Sequence, residues 1–182
     1  MSVENWFQES REAIRKAFGS DADLFMRLLA ATSPISTIET NVVLAIRAYR
    51  HLNWFGEIPE RSFIEVHRIS IAKFLQDPNT AGRKIWSLYQ NLIGNENVCP
   101  LDRWMKVYFG LSPEKYLSGK LYDELEGMIR TEAKALGITP AQRQVQIWCA
   151  SRTAGSSRGD TSYGDILKSR EITAINILKR LL

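Results

Sequence analysis

Helix stops recur along this chain at short intervals, and they cap the length of anything it can build. Gly19, Ser33-Pro34, Gly56, Asp77-Pro78, Gly94, Ser112-Pro113, Gly137 and Thr139-Pro140 each end or interrupt a run. Between the stops, apolar residues recur every three or four positions, the spacing of one helix face. Trp6, Phe7, Ala13, Ile14 and Ala17 form the first stripe, and Leu24, Phe25, Leu28 and Leu29 the second. Ile38, Val42, Ala45, Ile46 and Tyr49 form a third, and Ile85, Leu88, Tyr89, Leu92 and Ile93 another. No run alternates as a strand does, and no segment repeats.

The expected class is therefore all-α, a compact bundle of about eight to ten short helices. The pattern predicts helices over Val3–Phe18, from Ser20 or Asp21 to near Thr32-Ser33-Pro34, from Thr37, over Arg61–Gln76, over the Lys84–Ile93 stretch, and briefly after Asp102. A further turn of helix is expected at Ser112-Pro113-Glu114, then helices over Lys120–Leu136, Ala141–Arg152 and Glu171–Leu182. Thr153–Gly164, TAGSSRGDTSYG, reads as a mobile polar loop. Residues 1–182 are expected to form one domain, open to a two-lobed arrangement with a cleft.

Composition narrows the function classes. Apolar residues make up 45% of the chain, enough for a real core, and 24 basic against 20 acidic residues leave a net charge of +4. That balance permits an anionic partner without requiring one. Cys99 and Cys149 are too few for a disulfide framework or a thiolate cluster. The first residues lack a secretory core and no run approaches a membrane span, so an intracellular, cytoplasmic protein without a membrane partner is expected. His51 and His67 lack ligand-spaced partners, so no metal site is expected. No glycine-rich phosphate loop, nucleotide fingerprint or Ser-His-Asp set is present, and no cofactor is expected.

One constellation stands out. Lys84 and Asp102 lie eighteen residues apart, separated by one helix, the turn Gly94-Asn95-Glu96-Asn97 and the entry to the next helix. Such a hairpin lets the start of one helix and the head of the next face a common cleft. Asp102 can cap its helix. Both residues also have plain readings, a solvated lysine and an ordinary N-cap.

Gly82-Arg83-Lys84 followed by Val98-Cys99-Pro100-Leu101-Asp102 resembles the signature of the helix-hairpin-helix DNA glycosylase superfamily. The upstream run Leu28-Leu29-Ala30-Ala31-Thr32-Ser33-Pro34 resembles the helix end and loop with which its members probe the duplex. The detailed match covers about 25 residues. The superfamily's hairpin is Leu-Pro-Gly-x-Gly; here Asp77-Pro78-Asn79-Thr80-Ala81-Gly82 stands in its place, Arg103-Trp104 follows the aspartate, and no iron–sulfur cysteine set is present.

The resemblance implies a DNA N-glycosylase, with or without lyase activity, that removes a modified or damaged base from double-stranded DNA. In that reading Asp102 stabilises positive charge at C1′, and Lys84, its pKa lowered by burial or by a cation such as Arg83, attacks C1′. Asn79, Thr80, Gly82, Arg83, Ser33 and Arg103 would contact nucleic acid, joined by Gln146, Arg152 and Arg158 on a polar face and loop. Trp86, Trp104 and Trp148 are the pocket candidates, and a monomer is expected. Two other readings stay open: a non-catalytic nucleic-acid-binding module on the same scaffold, and a helical interaction or regulatory protein.

Overall fold

The computed structural model describes residues 5–58, 60–153, 161–170, 172–174 and 176. Among them are nine α-helices and no strand. They are α1 Trp6–Phe18, α2 Ala22–Ala31, α3 Ile38–Phe55, α4 Glu65–Gln76, α5 Arg83–Ile93, α6 Arg103–Tyr108, α7 Gly119–Leu136, α8 Pro140–Thr153 and α9 Tyr163–Ser169. No described helix is long and apolar enough to cross a membrane.

The stops act as their chemistry requires. Gly56, Gly94 and Gly137 follow α3, α5 and α7 in left-handed backbone that only glycine adopts without strain. Thr37 caps α3 through the Thr40 amide, and Ser118 caps α7 through that of Leu121. Asp21 caps nothing; its carboxylate accepts instead from the Tyr49 hydroxyl.

Three boundaries differ from the sequence expectation. Residues 60–62 form a separate 3-10 turn, so α4 starts at Glu65 and not at Arg61. Ser112-Pro113-Glu114 makes a turn without a helix. Tyr163 and Gly164, expected in the polar loop, open α9, because Ser162 and Asp165 form a reciprocal capping box around its first turn. Residues 154–160 of that loop lie outside the described residues, as do residues 171, 175 and 177–182 of the expected last helix.

Two apolar cores fill the fold. The larger gathers the inward faces of α1 to α5 with Ala141, Val145 and Cys149 of α8 and Tyr163, Ile166 and Leu167 of α9. Gly164 lets α9 lie close on α1: a Cβ there would stand 3.1 Å from the Glu9 carbonyl. The smaller core joins Cys99, Leu101 and Met105 to Tyr122, Leu125 and Ile129 of α7 and Ile147 of α8. Trp148 packs against both.

The link between α5 and α6 is strapped from two sides. Arg11 of α1 donates to the Leu92 and Asn91 carbonyls at the end of α5 and pairs with Glu96, meeting acceptors the helix leaves open. From α7, the Tyr122 hydroxyl donates to the Cys99 carbonyl at 2.7 Å and accepts the Leu101 amide at 3.0 Å. Burial pushes that phenol up to about 12, so it keeps its proton. Buried Glu126 accepts the Cys99 amide at 2.8 Å and pairs with Arg83 at 2.9 Å and Arg130 at 3.3 Å. Glu126→Ala would strand the buried Cys99 amide, while Arg83 keeps Asp123 at 2.6 Å. We expect it to cost about 1–3 kcal/mol, read as a lowered urea midpoint with an unchanged m-value.

Candidate active site

Lys84 is the second residue of α5, and Asp102 sits one residue before α6. The first turn of α5 carries two cations and no acid. A helix N-terminus favours the opposite sign, so this placement runs against local electrostatics. Such conflicts concentrate at functional sites.

The hairpin brings the two residues to one depression at the junction of the cores. Its inner part is a cavity of about 90 Å³ with Lys84, Asp102, Trp148, Trp6, Asn41 and Tyr163 among its walls. One buried water needs only about 10–15 Å³. The outer part is a cleft of about 620 Å³ that shares Ser33, Ser36, Thr37, Lys84, Asp102 and Trp148 and adds Ile35, Arg103, Trp104 and Lys106. Apolar Phe7, Leu88, Pro100 and Val145 complete the inner wall.

Asp102 is held firmly. Oδ1 accepts the Trp104 and Met105 amides at 2.9 and 3.1 Å, the expected N-cap. Oδ2 accepts the Trp148 indole N–H at 2.9 Å. A carboxylate has about four lone-pair sites, so one on Oδ2 remains open.

Lys84 makes no ion pair with Asp102, and no hydrogen bond of its amine is found among the described residues. Its pKa falls below the ordinary lysine value. Burial is the main cause; the Asp102 carboxylate opposes it, while the Arg103 and Lys106 charges reinforce it. The cationic neighbours are thus the two basic residues of α6, in place of the expected Arg83. The result is an amine that gives up its proton more readily than an ordinary lysine, beside a fixed carboxylate.

Three further polar atoms in the inner wall have no partner: Trp6 Nε1, Ser33 Oγ and Gln144 Oε1. Buried polar groups are almost always paired. A donor, a hydroxyl and an acceptor on residues of one cavity wall are thus left unpaired. Behind them, Asn41 accepts from the Thr32 hydroxyl at 2.6 Å and donates to the Tyr163 hydroxyl at 2.7 Å. Burial and the nearby Asp102 charge both raise the Tyr163 pKa, so the phenol stays neutral.

The other sequence candidates divide. Ser33, Arg103, Trp104 and Trp148 line the depression. Trp86 lines neither part, because two helical positions past Lys84 its side chain leaves on another side of α5. Arg83 turns away likewise: it pairs with Asp123 and Glu126 of α7 and lies over the Tyr122 ring at 4.1 Å. In the 78–80 turn, the Asn79 amide donates to Asp77 Oδ1 at 2.9 Å and the Thr80 hydroxyl to the Asp77 carbonyl at 2.7 Å. Gly82 has an ordinary extended backbone and open space at its Cβ position. Gln146 accepts from Arg143 and lines neither part of the depression. The Arg152 side chain and all of Arg158 lie outside the described residues. Among the described residues no three His, Cys, Asp or Glu side chains are grouped to hold a metal.

A family model matches residues 2–155 of the 182. This chain belongs to that family, described as a family of unknown function, DUF7178. The DUF7178 span takes in all of α1 to α8, and with them Lys84, Asp102, Trp148 and the strapped α5–α6 link. It ends before α9, which supplies Tyr163. No curated protein and no solved structure matches the chain.

Trp6, Gln144 and Tyr163 escaped the sequence reading, and Asn41 reads there as a polar residue of the first turn of α3. Trp6 sits on a helix stripe indistinguishable from core. Tyr163 falls within the expected low-complexity loop, although Ser162 and Asp165 carried a capping signal at the right spacing.

Proposed function

We propose that this protein is a DNA N-glycosylase with a lyase step, acting on a modified or damaged base in double-stranded DNA. One observation carries the reading: a buried amine, more acidic than an ordinary lysine, and a fixed carboxylate line the same cavity without pairing. The base turns out of the stack into the inner cavity, where Ser33, Gln144 and Trp6 offer hydrogen bonds to its edge and the apolar wall holds its faces. As the base departs with the electron pair of the C1′–N bond, positive charge builds on C1′ and the ring oxygen. Asp102 stabilises that charge. Lys84 Nζ donates its lone pair to C1′, and the proton it sheds passes to the departing base or to solvent. Ring opening, with a proton gained on the ring oxygen, then leaves a protonated imine between Lys84 and C1′.

The phosphate contacts in this reading belong to Arg103 and Lys106 on the rim, since Arg83 and the Asn79 amide are already engaged. That engagement favours a second reading, a nucleic-acid-binding module without chemistry. The test is to incubate the protein with a panel of duplexes, each carrying one modified base, and to assay free base by chromatography. Release from at least one duplex is expected. Salt-sensitive binding without release from any supports the module.

Ile35 belongs to the same reading. It is 88% exposed at the cleft mouth, and it is the one described non-glycine residue with positive φ, at 57°. A β-branched side chain in that conformation is strained by roughly 1–2 kcal/mol. An apolar wedge that enters a base step is a function such a residue serves. Ile35→Gly is expected to stabilise the protein by about 1 kcal/mol, and to slow release from duplex about tenfold while sparing single strands. Equal effects on both substrates would remove the wedge role.

A further inference from the structure

A second basic site lies on the C-terminal half of α3, away from the cleft. A groove of about 460 Å³ is lined there by Arg47, Arg50, His51 and Trp54, with Val43, Ile46 and Ser62 beside them. Residues 43, 47, 50 and 54 follow helical spacing, so one face of α3 carries the groove. The opposite face, with Val42, Ala45, Ala48 and Tyr49, is buried in the larger core.

Three features set this cluster apart from an ordinary solvated basic face. The Arg50 guanidinium lies over the Trp54 ring at 4.4 Å, which fixes its plane. Arg50 Nε and His51 Nδ1 are buried and have no hydrogen-bond partner. Among the described residues no carboxylate lines the groove and no ion pair holds Arg47 or Arg50. Arg47 spends one N–H on the Ser62 carbonyl at 3.2 Å, which draws its guanidinium along the groove. The Arg50 Nε–H, buried without an acceptor on a side chain already oriented by Trp54, is a donor that an anion can meet.

We infer that this groove binds a phosphate group, with Arg50 held on Trp54 as the main anchor and Arg47 and His51 beside it. A guanidinium matches phosphate oxygens with a fixed fork of donors. Phosphate offers oxygens in three directions, enough to meet all three side chains, where a carboxylate offers two. Arg50 stands nine residues beyond Asn41 of the cleft on the same helix, about 13–14 Å along its axis. Nine residues also leave half a turn over, so the groove opens on the side of α3 opposite Asn41; the phosphate of a DNA backbone and that of a free nucleotide both carry the chemistry that fills it. The site stands on its own residues and does not require chemistry at Lys84.

The experiment follows the side-chain N–H resonance of Arg50 and the indole resonance of Trp54 in the full chain during titration. The titrants are inorganic phosphate, a deoxynucleoside monophosphate and a short unmodified duplex. Saturable shifts with inorganic phosphate are expected, with affinity reduced at least tenfold in Arg50→Gln and less in Arg50→Lys, which keeps the charge and loses the fork. If the phosphate is that of DNA, Arg50→Gln also lowers the slope of log affinity for duplex against log salt by about 0.9. If it is that of a nucleotide, the monophosphate binds more tightly than inorganic phosphate and the duplex slope is unchanged. Asp102→Ser leaves the phosphate shifts intact, which separates this site from the cleft. Absence of a saturable shift in the wild type, or equal affinity in Arg50→Gln, overturns the inference.

Discussion

Asp102→Ser is expected to reduce base release by at least about 10²-fold, the scale for losing one transition-state electrostatic contact, while the protein stays folded. Serine is chosen because Asp102 does two jobs. Its Oδ1 caps α6 through the Trp104 and Met105 amides, and its Oδ2 accepts from Trp148 and faces the cavity. A serine hydroxyl caps about as well as a carboxylate, so the helix head survives while the charge goes. The hydrogen bond from Trp148 goes too, a loss of about 1 kcal/mol, or roughly 2–4 °C in Tm for a chain of this size. Asp102→Ala removes the cap as well and should cost about 1 kcal/mol more. Comparing the two splits structural from chemical loss: release should be equally low in both, and only stability should differ. Full activity in Asp102→Ser would assign the residue to capping alone.

Lys84→Met carries the second large effect. The variant should lose every covalent adduct with DNA and yet be more stable than wild type at neutral pH. The stability gain follows from the lowered pKa, whose first cause is burial of the charged amine. Below its folded-state value the amine is protonated in both folded and unfolded chains, and the desolvation penalty is carried in full. Between that value and about 10.5, the unfolded ordinary value, the folded protein binds fewer protons than the unfolded one. Stability of the wild type then rises with pH. The gap between wild type and Lys84→Met should therefore narrow as pH climbs toward 10.5. Urea melts of both proteins at several pH values from 7 to 10.5 measure it. A gap independent of pH would mean that the amine is solvated in the folded protein.

The helical frame was readable because its punctuation is chemical and local. Thr37 caps α3, Gly94 ends α5 and Asp102 heads α6, each by a bond to a neighbour within a few residues. That Lys84 and Asp102 line one depression was readable for the same reason, since a single hairpin brings them there. The rest of the cavity wall was not. Tyr163 meets Asn41 across 122 residues of chain, and no local pattern encodes that contact. Arg83 looked like a DNA contact because its partners Asp123 and Glu126 lie on α7, beyond the matched segment. Trp86 is a different kind of miss: its two-residue offset from Lys84 already placed it off the cavity face.

The most direct measurement is reductive trapping. The protein is mixed with a duplex carrying an abasic site, the shared product of any base release, and sodium borohydride is added to fix an imine. Peptide mass mapping then locates the bond. The account predicts a covalent protein–DNA adduct at Lys84 that disappears in Lys84→Met. No adduct, or one on another amine that persists in Lys84→Met, would contradict it.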